Sequence, residues 1–233
     1  MVNINTVYQT VLALANKEQR GYITPQEFNL FANQAQMSIF EQYFYDLNQF
    51  LRVPGNNTAY ADMVNLLEEK ISNFERSNAA VGSGTTLPSN LYKLQQVQWL
   101  NAIEGKYYTA EYVDRKTWLQ MQTVPLVRPT DKKLIYIRNS SGVSVIGDNS
   151  KQTNITCNYI AKPKNPNWTY VVVDKKALYN PNAADHQHFE LHESEQTELV
   201  TRVLALAGIT LKDTNLYQIA SNQTNSQTQQ QKQ

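Results

Sequence analysis

The chain has 233 residues with 41% hydrophobic side chains, enough for one large domain or two small ones with a real core. Its net charge is +1 with basic and acidic residues interleaved, which excludes the global field that draws a protein onto nucleic acid or an anionic membrane. A single cysteine, Cys157, excludes an internal disulfide and a Cys-rich zinc site.

No apolar stretch approaches the roughly 20 residues of a membrane span, and Met1 to Asn16 lacks the charged start and cleavage site of a signal peptide. Within that segment Ile4, Val7, Val11, Leu12 and Ala15 recur on one helical face, up to a turn at Gly21. Thr24, Pro25 and Glu27 supply an N-cap, a first-turn proline and a capping-box acid, so a helix opens at Pro25. Phe28, Phe31, Ala32, Ala35, Ile39, Tyr43, Leu47, Phe50 and Leu51 carry it to the Pro54-Gly55 break. Phe40, Phe44 and Tyr45 lie off that stripe and are the candidates for a subunit contact. A third helix is predicted from about Tyr60 to Arg76 on Met63, Leu66, Leu67, Ile71 and Phe74.

Residues 77–90 are rich in Ala, Gly, Ser and Thr around Gly82-Ser83-Gly84 and read as a flexible linker. Beyond it the period changes to two. Leu91, Leu94, Val97 and Trp99 lead through a Glu104-Gly105 turn to Tyr107, Tyr108 and Tyr112, as in a hairpin. Asp114 caps a short helix bearing Trp118 and Leu119, and strands follow at Leu134 to Arg138, Val143 to Ile146, Ile155 to Ala161, Thr169 to Val173 and His188 to Leu191. Cys157 falls inside this pattern as a packed thiol. Ser194 opens a last helix with Leu199, Val200, Val203, Leu204 and Ala207 as its stripe and Gly208 at its end; Asp213 caps a shorter one to Ser221. The Gln-rich residues 222–233 bury too little apolar surface to order alone. The fold class is α+β: a helical region 1–76, the linker, a mostly antiparallel β-domain 91–192, C-terminal helices 193–221 packing on the bundle, and a disordered tail.

Chemistry-bearing motifs are few. Asn16 to Glu27 has the Gly, Ile and terminal Glu of a calcium loop in register, but Arg20 stands at a ligand position and Pro25 serves the following helix. His186, His188 and His192, flanked by Asp185, Glu190 and Glu193, are the single histidine cluster; two imidazoles with a carboxylate are the makings of a zinc site, against a plain polar segment entering a helix. No phosphate-cradling glycine loop and no Gly-x-Ser-x-Gly elbow occurs. The basic stretch Lys162 to Trp168 combines charge, an aromatic and prolines, and reads as a loop with Trp168 at the core edge or as a contact to nucleic acid. The expectation is a non-enzyme without cofactor or metal. With 14 tyrosines, abundant Asn, Gln and Thr, and only 18% charged residues, the surface suits protein contacts.

Four segments, Asn16 to Asn29 with the long helix after it, Tyr112 to Leu119, Ala161 to Trp168, and Leu191 to Glu195 with the helix to Gly208, resemble the neck and tail-connector proteins of short-tailed phages. They are most similar to the ring proteins of crAss-like phages. The resemblance implies a virion structural protein, assembled in the host cytoplasm. It implies a closed ring of roughly twelve copies that docks on the portal or a neighbouring ring and continues the DNA channel, with no membrane partner and no catalytic residues. Two other readings stand beside it: an adaptor or scaffold outside phages, and a metal-dependent hydrolase using the histidines.

Overall fold

The computed structural model describes residues 1–17, 23–52, 62–81, 86–102, 104–130, 132–140, 142–147, 154–210 and 222. The middle of the calcium-loop-like segment, the Gly82 to Gly84 stretch, the short helix predicted after Asp213 and the Gln-rich tail beyond Asn222 lie outside them. The chain divides into two compact units: residues 1–73 with 163–233, and residues 74–162.

The first unit holds helices α1 (Ile4–Lys17), α2 (Pro25–Arg52), α3 (Asp62–Ser72) and α5 (Gln196–Thr210), with a two-stranded hairpin of β7 (Tyr170–Val173) and β8 (Lys176–Tyr179). Helix α2 opens as its sequence dictates. The Glu27 carboxylate accepts from the Thr24 N–H at 3.0 Å while the Thr24 hydroxyl oxygen accepts from the Glu27 N–H at 3.3 Å. These bonds hold the Glu27 carboxyl below the usual carboxylate range. The stripe Phe28, Ala32, Ala35, Ile39 and Tyr43 is buried, as is the whole predicted stripe of α5, which packs on α1 and α2. At the hairpin turn Asp174 and Lys175 both adopt positive φ, 48° and 63°, which matches the twist of a two-residue hairpin loop without using glycine.

The second unit is a six-stranded sheet in the order β1-β6-β2-β3-β4-β5, built from β1 (Glu75–Ala80), β2 (Leu91–Asn101), β3 (Lys106–Tyr112), β4 (Leu134–Asn139), β5 (Gly142–Ile146) and β6 (Ile155–Ala161). Its pairs are antiparallel except β3 with β4, where Ala110 faces Leu134 and Tyr112 faces Tyr136 in parallel. Helix α4 (Arg115–Thr123) lies in that crossover. One apolar face gathers Leu94, Val97, Ala110, Leu134, Val143, Ile155, Cys157 and Tyr159 into a core drawn entirely from the strands and their flanks. An isolated bridge from Thr86 to Gly142 joins the segment after β1, one sheet edge, to β5, the other.

Several expectations change. Strand β1 occupies Ser77 to Ala80, the start of the expected linker. Its polar residues are held by pairing with β6 across a bulge at which Asn78 takes a φ of 55° and its N–H donates to the Asn158 side chain at 2.8 Å. Strand β8 was not among the predicted elements. Residues 188–191 form no strand, only an isolated bridge from Phe189 to Val2, and residues 163–192 belong to the helical unit rather than to the β-domain. Leu66, expected in the α3 stripe, is half exposed. Helix α5 runs past Gly208 to Thr210 and is preceded by a 3-10 turn, Glu193–Glu195, whose cap is His192 rather than Ser194.

Candidate interaction surfaces

The three aromatics proposed from the sequence as a subunit contact occupy different environments. Phe40 is fully buried, with its ring edge-on to Phe44 at 5.1 Å, so it is core and not a contact residue. It lies one helical turn beyond Gln36, which is itself 1% exposed, because α2 meets both α3 and α5 and buries a wider arc than one stripe. Phe44 is half-buried and Tyr45 is 65% exposed.

Gln36 and Asn29 explain the basic loop after β6. The Gln36 amide donates to the Lys164 carbonyl at 2.7 Å and accepts from the Glu190 N–H at 3.1 Å. Asn29 accepts from the Trp168 N–H at 2.8 Å and donates to the Asn167 side chain at 2.8 Å. Trp168 is 1% exposed; its ring meets Tyr8 at 4.2 Å and stacks with Tyr170 and Tyr179, while its indole N–H donates to Asn5 at 3.0 Å. A core tryptophan so held is not available to stack on a base, which leaves Lys164 as a solvated cation of the unit's loop. Between α1 and the hairpin opens a cavity of about 390 Å³ lined by Tyr8, Leu12, Trp168, Lys175, Lys176 and Tyr179, which offers ring faces and two ammonium groups.

The histidines are engaged one by one. His186 Nε2 meets the Tyr179 hydroxyl at 2.6 Å, His188 Nδ1 accepts from the Ile4 N–H at 3.2 Å, and His192 caps the 3-10 turn by accepting from the Ser194 N–H at 3.3 Å. The His186 and His188 rings lie edge to face at 4.6 Å. Burial holds the His188 pKa below the ordinary histidine value, helped by the nearby His186 and the N-terminal amine. Among the described residues no three His, Cys, Asp or Glu side chains converge on a metal position. Cys157 is fully buried and its thiol is pushed up by desolvation, as a packed rather than reactive cysteine.

A polar cluster ties three helices together. Lys70 of α3 reaches Glu195 at 2.6 Å and lies 5.5 Å from the Tyr43 ring centre. Arg202 of α5 bonds Glu198 at 2.9 Å through Nε and also reaches Ser38 and Gln42 of α2. Burial raises the Glu198 carboxyl above its ordinary value despite Arg202, and burial beside Glu195 and Glu198 drives the Tyr43 hydroxyl far up. These acids and bases neutralise one another across a helix interface, which is a structural use of charge.

The least satisfied surface is the segment from Asp114 to Arg128. Asp114 caps α4 as predicted, accepting from the Thr117 N–H at 3.2 Å, but the helix buries none of its residues. Leu119 is 58% exposed, and in the 3-10 turn Pro125–Val127 that follows, Leu126 is 96% exposed. Arg115, Lys116, Arg128, Lys132 and Lys133 are all exposed around it. The sequence shows the helix and its cap but not how little of it is covered; the signal is a polar stretch of nine residues with only Trp118, Leu119 and Met121 apolar, of which Trp118 and Met121 are half-buried. No protein-family model matches this chain, and no curated protein matches it.

Proposed function

We propose that this chain is a structural virion subunit that closes into a ring in the neck or tail of a short-tailed phage, linking the portal to the tail and continuing the DNA channel. The observation that carries the reading is the α4 arm, a capped, regular helix that leaves Trp118 and Met121 half-buried and Leu119 exposed, followed by a proline-started turn that is exposed throughout. Elements of that kind are kept for a surface supplied by another molecule, and aliphatic side chains as exposed as Leu126 call for one. A closed ring needs two different surfaces on each subunit, and the arm has the composition of one of them. The remaining candidate chemistry is spent on structure: His188 and His192 hold backbone N–H groups, His186 bonds the Tyr179 hydroxyl, Cys157 packs, and the buried acids pair with Lys70 and Arg202. The partners in this reading are further copies, the portal and adjacent ring proteins, with non-specific contact to passing DNA.

The test is native mass spectrometry with negative-stain imaging of the full chain, alone and mixed with the phage portal. A closed ring, formed alone or on the portal, is the expected result. Monomers that ignore both the portal and one another would overturn it and return the chain to the one-partner adaptor.

A further inference from the structure

Charge is divided unevenly between the two units. Residues 74–162 carry 11 basic and 6 acidic side chains, a net of +5, while residues 1–73 with 163–233 carry 10 basic and 14 acidic, a net of −4. The near-neutral total of +1 thus conceals two units of opposite net charge. Much of the positive charge sits on the arm, where Arg115, Lys116, Arg128, Lys132 and Lys133 are exposed and the one described carboxylate, Asp114, is committed to capping its own helix. On the acidic unit, α2 turns Glu41 and Tyr45 outward one turn apart, and α3, packed against α2, exposes Leu66, Glu68 and Glu69. Both surfaces mix charge with exposed apolar groups, and their signs are opposite.

We propose that the basic arm of one copy docks on the acidic outward faces of α2 and α3 of the next copy, so that subunits join head to tail. This rests on the ring reading and names the contact that builds the ring. A two-fold contact of arm against arm would place cation against cation, a mutual repulsion that costs several-fold to many-fold in affinity, whereas arm against helices pairs each sign with its opposite. Such a contact is heterologous, and repeated it gives a ring or a filament. Duplex DNA would satisfy the arm's cations but not Leu119, Leu126 and Val127, which have nothing to bury against among phosphates.

A charge-swap experiment on the full chain tests this. One variant carries Arg115→Glu with Lys116→Glu, the other Glu68→Lys with Glu69→Lys, and association is followed by sedimentation and native mass spectrometry. Wild type associates at low salt and weakens on the order of tenfold or more when screening is raised. Each variant alone removes the opposition of sign, the first by cancelling the net charge of the arm and the second by making the helix faces basic, and loses association by at least about tenfold. Mixed together, the variants regain pairwise association, because the unchanged basic arm of one meets the unchanged acidic helices of the other, and this rescue also shows that both still fold. Wild type that stays monomeric, or a mixture no better than its components, overturns the proposal. A wild-type ring that both variants leave intact overturns this contact and leaves the ring reading standing, while copies that rescue one another in open chains and close no ring, alone or on the portal, do the reverse. Retention of wild type on duplex DNA, lost in the arm variant and without self-association, assigns the arm to nucleic acid and overturns the proposal as well.

Discussion

His188 shows how a residue suggestive of metal chemistry serves the backbone instead. Its Nδ1 accepts the Ile4 N–H, so the ring must be neutral at that nitrogen, and burial, His186 and the N-terminal amine all depress its pKa below 6.5. A histidine with a depressed folded pKa binds its proton later in the native state than in the unfolded chain. The stability it contributes is therefore complete above the unfolded value and is lost as the pH falls below about 6.5 toward the folded pKa. Urea unfolding between pH 7.5 and 5 should show wild type losing stability through that interval, and His188→Gln should remove part of the slope. An unchanged slope would place the titration elsewhere. The histidine spacing was legible in the sequence, but the partners were not, because Ile4 and Tyr179 reach the rings only through the fold. Trp168 follows the same logic: the sequence offers a loop with Trp168 at the core edge or a nucleic-acid contact, and the side chains of Asn5, Asn29 and Tyr8 decide for the core.

At the scale of elements, local chemistry was the legible part. The Thr24–Glu27 box opens α2, Asp114 opens α4, and the β2–β3 hairpin turns where Gly105 takes a φ of 65°. What needed partners was hidden. Ser77-Asn78-Ala79-Ala80 has weak strand preference and becomes β1 because β6 pairs with it, and the parallel β3–β4 pair depends on a crossover that no local pattern announces. The width of a helix's buried arc was equally invisible, which is why Phe40 was read as surface. Two substitutions separate core from arm. Phe40→Ala should destabilise the chain by about 3–5 kcal/mol, as truncation of a packed aromatic does. Leu126→Ser should leave stability within about 0.5 kcal/mol, since the side chain touches little of its own subunit. Thermal and denaturant unfolding of the monomeric chains measures both, and a large loss in Leu126→Ser would mean that the arm supports the protomer after all.

For the molecule as a whole, total charge was the wrong quantity to read. Interleaving along the sequence suggested a surface without field, yet sorting the same side chains by unit gives +5 and −4. The sorting required the unit boundaries, and those run through a discontinuous chain in which residues 163–233 rejoin 1–73. The two cases differ in a simple measurement. A near-neutral protein with evenly mixed charge passes both cation and anion exchangers at low ionic strength, because neighbouring charges of opposite sign cancel in the field that a resin meets. A chain whose two units carry opposite net charges offers each resin one unit of opposite sign, so it should be retained by both resins near pH 7. Arg115→Glu with Lys116→Glu lowers the charge of the basic unit by four, from +5 to +1, and should abolish cation-exchange retention while strengthening retention on the anion exchanger. Flow-through of wild type on both resins would mean that the surplus charges of each unit are paired or dispersed, and attraction between unlike units would then lack the field that head-to-tail assembly requires.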